Sequence, residues 1–243
     1  SDIKTIKVLK KEDLVATKHV NEEQYLIGLQ VKGRKIAILV DHSASMTDEK
    51  LIDIIKTKNG SVQSKQRAKK WIRTKKVVQW LLARLPSNSD VIAIAFNDKA
   101  RTLGHNGWVK ASAAASIPAI LSDLNTLTPE GATNLQRGLQ LVNKYAPSNI
   151  YLITDGLPTK GESRYKSLNP FASCSSLLGN SKIISGACRV MLFRQTIAET
   201  SVKNAQTNII LLPLEGDPDA IDQYWGWSAV TGGLVLNPAN NWP

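Results

Sequence analysis

Three continuous apolar runs restrict the folds open to this chain. Ile36-Ala37-Ile38-Leu39-Val40, Val91-Ile92-Ala93-Ile94-Ala95-Phe96 and Ile150-Tyr151-Leu152-Ile153-Thr154 carry no charge and do not alternate apolar with polar residues. A strand with one wet face alternates, whereas a strand covered on both faces does not. The runs therefore predict central strands of a sheet lying between two other layers. Two of them stop abruptly at an acid, Asp41 and Asp155. Asn208–Leu212 reads as a fourth strand, and Gly232–Leu236 closes the pattern.

Helical spacing fills the intervals. From Arg67 to Leu85, Ala68, Trp71, Ile72, Val78, Leu81, Leu82 and Leu85 describe one face, closed by Pro86. Trp80 also sits at core spacing on this segment. Further helices are predicted over Ala111–Leu124, Asn134–Tyr145, Val190–Ala205 and Ala220–Val230. Strands and helices alternating at this rhythm specify an α/β fold, doubly wound, with a mostly parallel central sheet flanked by helices. No internal repeat and no Pro- or Ser-rich linker divides the 243 residues. The expected organisation is an N-terminal lead-in over 1–33 packing on one domain over 34–243, with insertions near 47–66 and 158–187. Loops of that length are usually functional or disordered; these either carry partner specificity or cap the rim of the site, with function the favoured reading.

Composition excludes several classes. Hydrophobic residues at 42% and charged residues at 21% argue against wholesale disorder. No apolar run approaches the roughly 18 residues needed to cross a bilayer. Ser1-Asp2-Ile3-Lys4 does not resemble a signal peptide; an anchor outside the given residues is compatible with this. The net charge of +11 is concentrated: Lys56, Lys58, Lys65, Arg67, Lys69, Lys70, Arg73, Lys75 and Lys76 occur with no Asp or Glu among them. Such a stretch suits an acidic protein, nucleic acid or anionic lipid. The absence of an aromatic-rich signature speaks against nucleic acid. A solvated helix face is the plainer account, with Lys65, Arg67, Lys69 and Lys70 facing a partner. Cys174 and Cys188 either close a small disulfide loop or remain free thiols.

In open α/β sheets ligands collect beyond the carboxyl ends of the strands. Three polar clusters fall at such places. Asp41-His42-Ser43-Ala44-Ser45 follows the first core strand, Gly131-Ala132-Thr133-Asn134 opens a helix, and Thr154-Asp155-Gly156 follows another core strand. Asp41, Ser43, Ser45, Thr133 and Asp155 supply only oxygen donors, two carboxylates and three hydroxyls. That chemistry suits a hard cation, Mg²⁺ or else Mn²⁺ or Ca²⁺, rather than zinc or copper. Each cluster alone is also explained by helix capping or a tight turn.

The three blocks, in this order and strand context, resemble the metal-ion-dependent adhesion site of the von Willebrand factor A family. The first block is that family's Asp-x-Ser-x-Ser motif, Thr133 matches its threonine and Asp155 its second aspartate. Ser45-Met46, Phe96-Asn97 and Thr231-Gly232-Gly233 extend the match, which runs from about Lys35 to the C-terminus. The resemblance implies a Rossmann-like domain in which Ser43 and Ser45 bind a divalent ion directly. Thr133 would do so directly or through water, and Asp41 and Asp155 would orient waters and hydroxyls. An ion with so few direct carboxylates keeps most of its charge, so a partner's Asp or Glu completes its shell. The implied function is a non-enzymatic adhesion or assembly module. The segment from Asp222-Gln223-Tyr224-Trp225 to Asn241-Trp242-Pro243 looks like bacterial members, many of them membrane-tethered and extracytoplasmic; a cytoplasmic place is also compatible. His42, where relatives carry a small apolar residue, either modulates the ion with pH or turns into the fold.

Two other functions remain open at this level. Asp41 could attack a substrate in a Mg²⁺-dependent hydrolase, although Ser43 stands where dehalogenase-type phosphatases place a second aspartate. No Gly-x-Ser-x-Gly elbow supports a triad among His19, His42 and His105. Alternatively, Lys56–Lys76 binds nucleic acid or anionic lipid electrostatically, with a steep salt dependence.

Overall fold

A computed structural model of the chain describes residues 28–161, 186–239 and 242–243. The chain divides into a unit of residues 1–30 and a unit of residues 31–243. The predicted lead-in over 1–33 lies almost wholly outside the described residues, as does most of the predicted insertion over 158–187. All that follows concerns the second unit.

Seven strands form one sheet among the described residues: β1 (Lys35–Asp41), β2 (Asp90–Phe96), β3 (Ala100–Leu103), β4 (Val109–Lys110), β5 (Asn149–Thr154), β6 (Gln206–Leu211) and β7 (Val235–Leu236). Their order is β3-β2-β1-β5-β6-β7, with β4 also paired to β2. The pairs β1–β2, β1–β5, β5–β6 and β6–β7 are parallel. Only β3 and β4 run antiparallel, both on β2. The apolar runs are the central strands, as predicted: Ile36–Val40, Val91–Phe96 and Asn149–Thr154 are buried throughout. β3 and β4 escaped the sequence reading because they are short edge strands, exposed and polar on one side, and so lack the two-faced apolar signal.

Seven helices occur among the described residues: α1 (Leu51–Lys58), α2 (Val62–Gln66), α3 (Lys69–Ala83), α4 (Ser116–Thr126), α5 (Leu135–Asn143), α6 (Gly186–Thr200) and α7 (Ala220–Val230). α3 presents Trp71, Thr74, Val77, Val78, Leu81 and Leu82 to the interior, but Ile72, assigned to that face, is exposed. The buried stripe instead follows Lys70, Thr74, Val77 and Leu81, which leaves Ile72 at its outer margin. Trp80 is only half-buried, edge-on to Trp242. α4 starts later than Ala111, with Pro118 inside its first turn, where a missing N–H costs nothing. α6 starts earlier than Val190 and stops at Thr200, before Asn204 takes a left-handed φ of 62° that no helix continues.

The segment 47–66 is not simply a polar loop. After a 3-10 turn at Ala44–Thr47 it folds into α1 and α2, separated by the Asn59-Gly60 turn. Helical periodicity was hard to see because α1 buries only Ile54 and leaves Leu51, Ile52 and Ile55 exposed. Ser61 caps α2 by accepting from the Ser64 amide at 3.1 Å.

Candidate functional site

Strand order locates the crevice. From β1 the chain proceeds to β2 on one side, and later returns as β5 on the other, so the order reverses at β1. Loops leaving neighbouring strands diverge there and open a cleft beyond their carboxyl ends. Val40 pairs with Ile153, which places Asp41 beside Thr154 and puts Asp155 one residue further out.

Asp41 is completely buried. Its Oδ1 accepts from the Ser43 amide at 2.8 Å, and its Oδ2 accepts from Thr154 Oγ1 at 2.7 Å. The other four predicted side chains form one continuous relay. Thr133 Oγ1 donates to Ser43 Oγ at 2.9 Å, Ser43 Oγ lies 3.2 Å from Ser45 Oγ, and Ser45 Oγ donates to Asp155 Oδ1 at 3.0 Å. With the hydroxyl protons directed along the relay toward Asp155, Ser43 Oγ and Ser45 Oγ each accept one bond and keep one further lone pair for an electrophile. The structure thus brings all five residues together.

Backbone bonds fix the three loops to one another. Ala44 N donates to Gly131 O at 3.0 Å, Glu130 N to His42 O at 2.8 Å, and Thr159 N to Thr133 O at 2.9 Å. Gly131 has φ 79°, and a Cβ there would run into the Asp98 carboxylate. Asp98 needs that space, because its Oδ2 accepts from the Ala132 amide at 3.0 Å while Lys160 holds its Oδ1 at 2.6 Å. The Asp155–Leu157 turn is braced from behind. Tyr224 Oη of α7 donates to Gly156 O at 2.9 Å, and Asp217, paired to Arg189 at 2.7 Å, accepts from the Leu157 amide.

Burial raises the Asp41 pKa to about 7, and the neighbouring charge of Asp155 adds to the effect. His42 does not face the cluster. Its Nδ1 lies 3.1 Å from Thr128 O and so carries the proton, and burial keeps its pKa below the ordinary 6.5. Among the described residues no three His, Cys, Asp or Glu side chains gather. The centre is a hydroxyl cluster between two carboxylates, not a carboxylate cage.

The basic stretch divides. Arg67 and Lys69 are exposed as expected, while Lys65 is half-buried and lies 3.5 Å from Glu130. Lys70 does not face a partner at all. Its side chain and that of Asp155 are each 1% exposed, and its Nζ stands 2.7 Å from Asp155 Oδ2. The contact is an ion pair without hydrogen-bond geometry, since Oδ2 has no hydrogen-bond partner. The ammonium donates instead to Asp48 O at 2.8 Å and Pro213 O at 2.9 Å. The sequence held a signal for this: Lys70, Thr74, Val77, Val78 and Leu81 recur at helical spacing, and all are buried. Cys188 is buried and in a disulfide; Cys174 lies outside the described residues.

Residues 36–157, half of the chain, match the family model of the von Willebrand factor type A domain. No curated protein matches. Among solved structures, a von Willebrand factor type A protein from Catenulispora acidiphila aligns with a TM-score of 0.51 at 16% identity, over 84% of this chain and 38% of that one. Proximal thread matrix protein 1 of the mussel byssus aligns at 0.50 and 12% identity, over 86% and 44%. The PilB minor pilin of Streptococcus sanguinis aligns at 0.49 and 19% identity, over 86% and 58%. The chain thus spans about two fifths of the length of the first two, and at these identities the likeness is one of fold. The central sheet, its order and the family match agree: the chain belongs to the von Willebrand factor type A domain family.

Proposed function

We propose that this domain is a non-enzymatic adhesion or assembly module whose metal-ion-dependent adhesion site presents a divalent cation to an acidic group of a partner protein. One observation carries the reading. Five oxygen-bearing side chains from three separate loops meet at the sheet's switch point in a single linked cluster. The donor set fits a hard ion of the Mg²⁺, Mn²⁺ or Ca²⁺ kind. Ser43, Ser45 and Thr133 would hold it, with Asp41 and Asp155 fixing hydroxyls and waters, and the ion would supply a positive charge for a carboxylate to meet.

Burial of Asp41, with both oxygens already accepting hydrogen bonds, argues against its use as a nucleophile on a substrate. The exposed Arg67 and Lys69 leave an electrostatic contribution to partner capture in place. The disulfide at Cys188 suits an oxidising, extracytoplasmic compartment. No helix among the described residues is long and apolar enough to cross a membrane.

Retention of the domain on an immobilised Asp- and Glu-bearing peptide tests the reading. It should require Mg²⁺ or Mn²⁺, reverse with EDTA, and vanish in Asp41→Ala. Retention that survives both treatments removes the metal from the mechanism.

A further inference from the structure

A buried ammonium beside a cation site is an unusual choice, because it opposes the ion the site would bind. Trp71, Val77 and Val78 line the same face of α3, so an apolar residue at position 70 would continue the pattern without any desolvation cost. We propose that Lys70 is a built-in counter-cation that weakens the centre's hold on its metal while making the loaded centre more positive toward a partner's carboxylate. The inference rests on the metal reading above. Asp155 carries it: Oδ1 takes the Ser45 hydroxyl and Oδ2 faces Lys70, so one carboxylate is shared between the ion's ligands and a fixed positive charge. Lys70 cannot swing aside, since the carbonyls of Asp48 and Pro213 tether its Nζ. Two carboxylates and a divalent ion would be neutral together. Adding Lys70 leaves one net positive charge in a buried setting, where repulsion of the ion and attraction of an incoming carboxylate are both strong.

Calorimetric titration with Mn²⁺ alone reads the first half, comparing wild type with Lys70→Gln, Lys70→Met and Lys70→Arg. Gln keeps a donor for the two carbonyls, so the comparison survives if the Met variant fails to fold. Removing the charge should tighten Mn²⁺ binding by about tenfold or more, while Arg stays close to wild type. Loosening of the loops would weaken binding, so a rise in affinity is a signature that a packing role does not give. Relaxation of acetate protons by bound Mn²⁺ reads the second half: the loaded Gln variant should hold acetate several-fold more weakly than loaded wild type. Unchanged or weaker Mn²⁺ binding in the folded neutral variants, or equal acetate binding, overturns the proposal. If neither wild type nor any variant takes up Mn²⁺, the metal reading itself fails.

Discussion

Burial sets Asp41 apart from a surface carboxylate, and its protonation should be visible in stability. Its folded pKa of about 7 stands above the ordinary 3.8, first through desolvation and then through the charge of Asp155. A group of this sign stabilises the fold fully below about pH 4, and that contribution is lost as pH rises through about 7. EDTA-treated domain should therefore lose stability between about pH 4 and pH 7 and level off above that, by a few kcal/mol on the order of the shift. Asp41→Asn should flatten the slope, and metal affinity should fall as pH drops below about 7, since the ion needs the ionised acid. A metal-free melting temperature that is level across this range would contradict the assignment. At the neighbouring acid the consequence is different. Asp155→Ala leaves Lys70 buried without its counter-charge and should cost about 3–5 kcal/mol in chemical denaturation. The convergence of the five oxygen-bearing side chains was legible in the sequence because each follows a strand or opens a helix. Lys70 shares the helical phase of Thr74, Val77 and Leu81, but a lysine in a basic run reads as surface, and that composition outweighs the phase.

At the level of elements, the sheet was legible and its margins were not. Residues buried on both faces leave an unbroken apolar run of strand length, bounded by polar turns, which is why β1, β2 and β5 emerged directly. Edge strands such as β3, and a helix such as α1 with a mostly exposed apolar surface, have no such mark. Helix-to-sheet distance was hidden as well. Gly138 of α5 packs so closely that a Cβ would come within 3.0 Å of Phe96 Cγ and 3.3 Å of Leu39 Cδ1. Both neighbours are fully buried and have little room to yield. Gly138→Val should therefore destabilise by about 1–3 kcal/mol despite removing a helix glycine. Because α5 begins just after Thr133, the same push should also weaken metal binding. The urea midpoint should fall with an unchanged slope; an unaltered midpoint would mean that α5 can retreat freely.

For the whole molecule, the centre and the fold share their free energy, since the three loops are tied by backbone hydrogen bonds as well as by the side-chain relay. An ion that binds only the folded form stabilises it by about 2.7 kcal/mol at a hundredfold excess over Kd. For a domain of this size that corresponds to a rise in Tm of roughly 5–10 °C. Mg²⁺ or Mn²⁺ should produce such a rise in wild type. Ser43→Ala removes the hydroxyl between Thr133 and Ser45 but keeps the Ser43 amide that Asp41 holds. It should therefore melt near wild type in EDTA and gain little from either ion. The pairing separates a bound cation from general salt effects, because ionic screening of a chain with net charge +11 would move both proteins alike. Equal shifts in wild type and Ser43→Ala would place the effect on the surface charge and leave the hydroxyl cluster with a purely structural part to play.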